Sequence, residues 1–373
     1  MGKRMSAAPD IKEEFVHSGE TDERAPGPIG GPGAWRGSDL AGRQDEWTYL
    51  LSENEIDELH NAMQRTSDTD FLELDKAAFD LPTLGVALSN IKHELLEGRG
   101  FVLIRGVPVE NYTLEESARV YWGIGMHLGD ARSQNAKGHL LGHVCNLGDH
   151  LDPFGKPAKA RIYQTRDRQL FHTDSTDFVG LMCLQKSKSG GESSITSSIT
   201  VHDEMYRRDQ KLWAEMYKPY WRDRRGEVPP GKTDYYPMAV FHYYADKLST
   251  IYSRDYIESC FRFPEVPRLT DRQRAALDLF DDLSESNEFR LDMAFEPGDI
   301  QFLHNHQILH ARAGFEDWPE VERRRHLLRL WLCPKDGRPL PDSMIERYLT
   351  MEVGERGGIL GPDTNLNVPL EPI

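Results

Sequence analysis

The sequence predicts one large α+β domain, with a β-rich core surrounded by helices. Continuous apolar runs bounded by turn residues, such as residues 178–185, are typical of buried strands. Capping boxes at Ser52 and Thr270 each precede apolar residues spaced along one helical face. The 373 residues are 38% hydrophobic and 28% charged, so the chain can bury a substantial core.

The predicted helices have recognisable first and last residues. One begins after Ser52, and a second covers residues 84–97 and ends at Gly98. Thr270 begins another, and a further helix is predicted to begin at Thr200. The apolar face of the helix that begins at Thr200 consists of Val201, Met205, Leu212 and Met216.

Strands account for most of the remaining pattern. The predicted strands are residues 101–104, 178–185, 192–198, 289–295 and 300–303. The turn between the last two, Glu296-Pro-Gly-Asp299, favours a hairpin. No internal repeat interrupts this order, which indicates a single folded unit.

Two terminal segments differ in composition from the rest. Residues 1–45 include the stretch Ala25-Pro-Gly-Pro-Ile-Gly-Gly-Pro-Gly33 and are predicted to form a flexible arm, because they offer little apolar surface to bury. Residues 46–353 are expected to form the folded domain. Residues 354–373 form a Gly/Pro-rich tail.

Charge and cysteine usage exclude several classes of protein. The formal net charge of −16 argues against a nucleic-acid partner, because phosphate backbones repel an acidic surface. No apolar run is long enough to span a membrane, and the N-terminus has no signal-peptide core. The four cysteines form no CxxC pair and are predicted to be reduced, buried thiols in the cytoplasm. A small-molecule substrate is therefore the expected partner, and assembly into a homo-oligomer stays open.

Three H-x-D or H-x-E triplets are candidates for a metal site, since side chains at i and i+2 of a strand point to the same side. A mononuclear iron site of the oxygenase type needs two imidazoles and one carboxylate, with other positions open for substrates. Chance alone gives about two such triplets at this composition, so context must separate them. They are His150-Leu-Asp152, His172-Thr-Asp174 and His202-Asp-Glu204.

Context favours the triplet at His172. His202 is predicted to lie in the first turn of a helix, where i and i+2 diverge by about 200°. The triplet at His150 lies in a polar Gly148-Asp-His-Leu-Asp-Pro153 loop. His172 and Asp174 precede the apolar run of residues 178–185, at the mouth of a buried sheet. From the residues alone, a metal site and a polar cluster at a strand end both stay open.

Two further features depend on context in the same way. The cluster His304-Asn-His306-Gln-Ile-Leu-His310 offers three candidates for a third ligand, and spacing does not choose among them. Residues 325–333 form a strand pattern that is apolar on both faces, with Arg325 and Arg329 on one of them. Arginines inside a core need an anion, which is either an internal acidic residue or a bound carboxylate.

Taken together, these segments resemble the TauD/TfdA family, the taurine dioxygenase-like or clavaminate-synthase-like group of Fe(II)/2-oxoglutarate-dependent dioxygenases. The resemblance extends from about residue 101 to 332. It is carried by four motifs in the expected order: Phe171-His-Thr-Asp-Ser-Thr-Asp177, the Gly-Gly-Glu-Ser193 turn, Gly298-Asp-Ile-Gln-Phe302 through Leu309-His-Ala-Arg312, and Arg324-Arg-His-Leu-Leu-Arg329. It implies a double-stranded β-helix, or jelly roll, with flanking helices and helical insertions.

The resemblance also implies roles for particular residues. His172, Asp174 and His310 match the catalytic metal ligands for Fe(II). Arg325 matches the arginine that grips the distal carboxylate of 2-oxoglutarate, and Ser193 matches a hydroxyl that assists it. Arg329 would join this clamp or bind a substrate carboxylate.

The implied reaction consumes O2 and 2-oxoglutarate, releases succinate and CO2, and hydroxylates, desaturates or cyclises a substrate. An internal arginine suggests a small carboxylate-bearing metabolite such as an amino acid. The segment Arg132-Ser-Gln-Asn135, with His139, lines the pocket or forms a surface loop. Two alternatives from other classes are a zinc-dependent hydrolase that uses the same ligands and a metal-free binding protein of the same fold.

Overall fold

Helices and strands of the chain are taken from a computed structural model, which describes residues 23–148, 161–361 and 364–372. The α-helices are α1 (Gly37–Leu40), α2 (Glu53–Arg65), α3 (Leu84–Glu97), α4 (Leu114–Leu128), α5 (Ser198–Arg208), α6 (Gln210–Glu215), α7 (Arg254–Ser259), α8 (Asp271–Glu285) and α9 (Ile345–Tyr348). The strands are β1 (Thr48–Leu50), β2 (Phe101–Arg105), β3 (Asp130–Ala131), β4 (Leu141–Cys145), β5 (Gln169–His172), β6 (Phe178–Gln185), β7 (Ser189–Gly190), β8 (Ser193–Ser197), β9 (Tyr220–Asp223), β10 (Tyr235–Met238), β11 (Phe241–Tyr244), β12 (Lys247–Thr250), β13 (Arg290–Met293), β14 (Ile300–His304), β15 (Ile308–Arg312), β16 (Phe315–Glu316) and β17 (His326–Cys333).

Two sheets face each other at the centre of the fold. The larger has the order β1-β2-β14-β6-β17-β3, with β4 also paired to β17, and the smaller has the order β13-β8-β15-β5. An apolar cluster between them takes residues from both, including Phe101, Leu303 and Leu327 from the larger sheet and Ile195 and Ile308 from the smaller. This is the double-stranded β-helix, and the expected α+β jelly roll is confirmed.

Strand β17 is buried on both faces, as its sequence predicts. Leu328, Leu330 and Leu332 pack outward against the cluster formed with the helices, whereas Leu327 points between the sheets. Because side chains alternate along a strand, Arg329 also points inward. One strand therefore stabilises the outer layer and delivers a charged group to the interior.

Helices cover the outer face of each sheet. The helices α2, α3 and α4 pack on the larger sheet, and α5, α6 and α8 pack beside the smaller one. Helix α3 has the predicted bounds, and its buried residues recur with helical spacing: Leu84, Leu88, Ile91 and Leu95. Each such side chain contributes about 1.5–3 kcal/mol when fully buried.

The helix predicted to begin at Thr200 is in fact two helices. Helix α5 begins two residues earlier, at Ser198, and the Ser197 hydroxyl accepts a hydrogen bond from the Thr200 amide. It ends at Arg208, and the side chain of the next residue, Asp209, caps α6 by accepting from the amides of Lys211 and Leu212. A good capping residue inside an apolar helical pattern therefore marks a break.

The hairpin predicted around residues 296–299 is wrong. Strand β13 pairs with β8 in the smaller sheet, whereas β14 pairs with β2 and β6 in the larger one. The turn therefore crosses from one sheet to the other. Asp299 fixes it by accepting from the Glu296 amide and pairing with Arg105 at 2.7 Å.

Both predicted terminal segments contact the domain where the structure describes them. Trp35 and Leu40 of the arm are buried against the sheets. In the tail, Arg356 is fully buried, and the Leu140 amide donates to the carbonyl of Asn367. The boundaries at residues 45 and 353 stay a prediction. Within the described residues, no helix combines the length and the apolar character that a membrane crossing requires.

Candidate metal centre

Two side chains of the smaller sheet and one from the turn after β5 meet at one point. His172 is the last residue of β5, and His310 lies opposite it in the antiparallel pairing with β15. Asp174 follows β5 in a turn that Asn305 holds, since the Asn305 amide oxygen accepts from the Asp174 backbone amide at 2.7 Å and its nitrogen donates to the Asp174 carbonyl at 2.9 Å. The sheet register thus sets the two imidazoles, and a buried asparagine sets the carboxylate.

The ligand atoms of these three residues converge. The Nε2 atoms of His172 and His310 lie 3.8 and 3.7 Å from the two carboxylate oxygens of Asp174, and the two imidazole centroids are 4.2 Å apart. One ligand atom from each residue lies within 4.8 Å of the others. Two nitrogens and one oxygen on one side of a common centre form the donor set that suits non-haem Fe(II).

Hydrogen bonds fix the orientation of the His172 imidazole. Its Nδ1 lies 2.8 Å from the carbonyl of Leu170, so Nδ1 carries the proton and Nε2 presents its lone pair. The Gln169 amide nitrogen lies 2.9 Å from the same Nε2. That amide must turn away when Nε2 binds a metal. The Nδ1 atom of His310 is buried without a hydrogen-bond partner among the described residues.

The surroundings keep these groups in the protonation states that a metal needs. Burial raises the pKa of Asp174, but electrostatic interactions with Arg329, His310 and His172 and the hydrogen bond from Trp331 outweigh this effect, and the pKa is lowered overall. Burial lowers the pKa of His310 to about 3, with a further contribution from His172. An anionic carboxylate and a neutral imidazole are the ligand forms that bind a divalent ion.

Two neighbours hold Asp174 in place. The indole Nε1 of Trp331 donates to its Oδ2 at 2.9 Å. The guanidinium of Arg329 lies 3.9 Å from the same oxygen, and its Nε donates to the Gln134 side chain at 2.6 Å. Hydrogen bonds of this kind fix the direction of a ligating carboxylate.

The remaining candidate histidines have other roles or lie elsewhere. His202 is buried on α5 and contacts the Tyr217 hydroxyl and the Trp213 indole. His306 pairs with Asp177 at 2.9 Å, and His304 is buried beside it. The triplet at His150 lies outside the described residues. Among the three candidates for a third ligand, His310 is the one that the fold brings to His172 and Asp174.

A cavity with about 460 Å³ of empty space, part of it open to solvent, adjoins the candidate metal centre and is lined by Arg325 and Ser193, among other residues. The Nη1 atom of Arg325 is buried without a partner, and Nη2 makes a long contact of 3.4 Å with the carbonyl of Gly191. Burial lowers the pKa of Arg325 to about 10. Among the described residues, no carboxylate lies within ion-pair distance of this guanidinium, so a bound carboxylate fits it well.

Arg312 is a second arginine of this cavity, and sequence reasoning missed it. Its Nη2 donates to backbone carbonyls, among them that of Thr165 at 3.0 Å, while Nε and Nη1 are buried without partners. Burial lowers its pKa to about 9. The sequence does contain a signal for Arg312 in the Leu309-His-Ala-Arg312 motif. Arg312 lies two residues after His310 on one strand, so the two side chains point to the same side.

A larger cavity, with about 730 Å³ of empty space that is partly open to solvent, also adjoins the candidate metal centre. His172, Asp174, Arg329 and Gln134 are among its lining residues. The segment of residues 132–135 therefore contributes to the pocket through Gln134, whereas Arg132 donates to the carbonyl of Arg356 in the tail. His139 is buried next to the tail.

Comparisons with known proteins agree with this geometry. The family model "Taurine catabolism dioxygenase TauD, TfdA family" matches residues 66–331. The FR-33289 synthase of Streptomyces rubellomurinus is 31% identical over 327 residues, which cover 85% of this chain and 94% of that protein. The taurine hydroxylase-like protein SAT17 of Stachybotrys chartarum is 27% identical over 338 residues, which cover 86% of this chain and 85% of that protein.

Solved structures share the fold at low sequence identity. An asparagine oxygenase in complex with Fe(II), hydroxyasparagine and succinate superposes with a TM-score of 0.57 at 14% identity, covering 77% of this chain and 93% of that one. The non-haem iron oxygenase OrfP in complex with Fe and α-ketoglutaric acid also gives 0.57 at 14% identity, covering 76% and 93%.

The fold and the sequence matches define the class of protein: the chain belongs to the TauD/TfdA family of dioxygenases. It is accordingly an Fe(II)- and 2-oxoglutarate-dependent dioxygenase, as its sequence motifs predict.

Proposed function

We propose that His172, Asp174 and His310 hold Fe(II), and that Arg325 holds 2-oxoglutarate, for the oxidation of a small organic acid. The observation that carries this proposal is the position of the three ligands between two cavities, each lined by arginine. Bound Fe(II) supplies the oxidation of a C–H bond by O2, coupled to conversion of 2-oxoglutarate into succinate and CO2.

The residues around the iron orient and shield the reactants. Arg325 binds the distal carboxylate of 2-oxoglutarate through its fork of N–H donors, and the Ser193 hydroxyl adds a further donor. Arg312 offers two more N–H groups in the same cavity. Trp331 keeps Asp174 pointed at the metal, and its apolar ring excludes water from that side.

Arg329 lies where the two cavities meet and lines both of them. Its guanidinium packs 4.4 Å from the ring centroid of Tyr163 and 5.1 Å from that of Trp331. This position suits a group that steadies a carboxylate bound next to the metal, on 2-oxoglutarate or on the substrate.

A small substrate with an acidic group fits the larger cavity. The asparagine oxygenase and OrfP were solved with hydroxyasparagine and hydroxyarginine, respectively. We place an amino acid or a related carboxylate in the same position here, with hydroxylation, desaturation or ring closure as the outcome. A cytoplasmic location is part of the proposal, since the four cysteines are free and buried.

A zinc hydrolase on the same ligands is a weaker alternative, because it gives no role to the arginines of the smaller cavity. Succinate release separates the two. The Fe(II)-loaded protein, 2-oxoglutarate and air are mixed with a panel of amino acids and organic acids, and succinate and product masses are recorded. We expect substrate-stimulated succinate release that Asp174→Ala abolishes. Turnover by the zinc-loaded protein without 2-oxoglutarate would contradict the proposal.

A further inference from the structure

We propose that Arg347, together with Arg161 and Tyr256, forms an oxyanion subsite at the end of the larger cavity away from the metal centre. It would bind the acidic group of the substrate and leave another part of that molecule at the iron. This inference rests on the proposed function and deepens it, because it names the class of substrate and the residue that selects it.

Three guanidinium groups surround one aromatic ring in this cavity. The Cζ atoms of Arg347, Arg161 and Arg225 lie 5.8, 5.9 and 5.6 Å from the ring centroid of Tyr256. All four residues line the cavity that reaches His172. A cluster of like charges around one phenol is costly unless counter-charges balance it.

Two neighbouring arginines, Arg161 and Arg254, have carboxylate partners, and Arg347 differs from them. Arg161 pairs with Glu227. Arg254, which also lines the cavity, pairs with acidic residues of its own helix and of α8. Arg347 has no carboxylate within ion-pair distance among the described residues, and its Nε atom is buried without a partner. Its one hydrogen bond there is from Nη1 to the Tyr236 hydroxyl, at 3.3 Å.

The position of Arg347 also fits a ligand site. It follows Glu346 on the short helix α9, and Glu346 itself is engaged by Arg224 and Lys232, both at 2.7 Å. Arg347 also lines another cavity, with about 430 Å³ of empty space that is partly open to solvent, and this cavity shares Tyr256 with the larger one. Arg347 therefore borders two cavities.

An oxyanion is the kind of ligand that suits the side chains around Arg347. Carboxylate, phosphonate and phosphate groups each accept two parallel hydrogen bonds from a guanidinium, and a tyrosine hydroxyl adds a neutral donor. Besides Asp174, two carboxylates share this lining, those of Glu227 and Asp255, and Glu227 is engaged by Arg161. The anionic group is therefore assigned to Arg347, whose guanidinium has no carboxylate within ion-pair distance among the described residues.

The arrangement sets the shape of the substrate. The larger cavity shares His172 and Arg329 with the cavity at Arg325, and it shares Arg347 and Ile359 with a third cavity that neither His172 nor Asp174 lines. A molecule anchored by its anionic group at Arg347 presents a distant carbon to the iron. We expect substrates with an acidic group several bonds from the oxidised carbon, and poor turnover of their esters or amides.

The test uses full-length protein with Fe(II) and saturating 2-oxoglutarate, under anaerobic conditions. Inorganic phosphate and acetate are the probes, choline chloride is the control for ionic strength, and calorimetry measures binding. We expect saturable phosphate binding that Arg347→Gln weakens tenfold or more and Arg347→Lys weakens less. Arg272→Gln, which removes an exposed arginine outside the cavity lining, should leave binding unchanged.

Separate readouts distinguish the possible failures. The visible band of the Fe(II)–2-oxoglutarate complex, recorded in the same samples, reports on the proposed function alone. With that band present, the subsite is overturned if the wild type shows no saturable binding at millimolar phosphate, or if Arg347→Gln binds as the wild type does. If Arg347→Gln fails to fold, Tyr256→Phe removes one hydroxyl and decides in its place, because unchanged affinity there would also overturn the subsite. An absent band in the metal-replete wild type contradicts the proposed function instead.

Discussion

Four groups surround the carboxylate of Asp174. It faces two imidazoles, accepts from Trp331 and lies near Arg329. Burial alone would favour its neutral form, and the surrounding positive charges restore the anion. A divalent metal ion at the same point would further stabilise the anionic form of Asp174, because it would place positive charge where the three ligand atoms converge.

Removal of the indole donor should weaken metal binding without unfolding the protein. Trp331→Phe keeps the aromatic ring and deletes the hydrogen bond to Asp174. We expect Fe(II) affinity to fall about 10- to 100-fold, the range typical of groups that orient metal ligands. Anaerobic metal titration measures it. Trp47→Phe is the matched control, since its indole donates to the carbonyl of Leu40 instead; equal losses in both variants would contradict a specific role for Trp331.

A single glycine shapes the arginine clamp. Gly191 has a φ of +78°, and a Cβ built on it would lie 3.0 Å from Nε of Arg325. Gly191→Ala should therefore displace the guanidinium and raise the 2-oxoglutarate concentration for half-maximal activity about tenfold, with Fe(II) affinity retained. The control is Gly231→Ala, at a φ of +75° with no atom within 4 Å. Unchanged 2-oxoglutarate dependence in Gly191→Ala would contradict the position of the clamp.

At the scale of elements, the capping boxes predicted two helix starts correctly, whereas the sequence did not predict which strands pair. The capping boxes at Ser52 and Thr270 both form, because the hydrogen bonds span three residues. The supposed hairpin at residues 296–299 failed because strand alternation does not reveal which sheet a strand joins. In a double-stranded β-helix, consecutive strands often belong to opposite sheets, so a turn signal alone does not establish a hairpin.

The tail illustrates the same point. Its Gly/Pro-rich composition predicts weak structure, yet Arg356 forms a buried pair with Asp177, at 3.1 Å from Nε to Oδ1. Asp177 also receives His306 and the Cys333 thiol. Composition is an average over the whole segment, so it does not reveal that a single residue, Arg356, connects the tail to the core.

Loss of this buried pair should be costly to stability. Arg356→Met leaves Asp177 charged and buried with fewer donors, so we expect the free energy of unfolding to fall by about 3–5 kcal/mol. Chemical denaturation measures the change. Lys186→Met removes an exposed pair with Glu296 and should cost less than about 1 kcal/mol. A small effect of Arg356→Met would show that the tail contributes little to the fold.

At the scale of the whole molecule, histidines that stay neutral in the folded state predict that the free energy of unfolding falls in acid. His326 lies 2.8 Å from His143, and burial lowers its pKa to about 4. Because the unfolded chain takes up a proton near pH 6.5, the contribution of His326 is complete above that pH and is lost as the pH falls from about 6.5 to 4. The free energy of unfolding, measured by urea denaturation at pH 7 and pH 5, should fall less in His326→Gln. An identical pH dependence in both proteins would contradict this assignment.

The candidate site was predictable in part. His172, Asp174 and Arg325 stand in recognisable motifs, so their types and spacing were informative. The choice of His310 over its neighbours depended on the family pattern until the sheet register placed it opposite His172. Arg347 and Tyr256 carry no motif, because the cavity that they line is assembled from segments far apart in the chain.

The measurement that tests the central claim most directly is the visible spectrum of the apo protein after anaerobic addition of Fe(II) and 2-oxoglutarate. We predict a weak charge-transfer band in the wild type, its loss in His172→Ala, and a need for more 2-oxoglutarate in Arg325→Ala. A metal-replete wild type without such a band, or a His172→Ala variant that retains it, would contradict the assignment of this site.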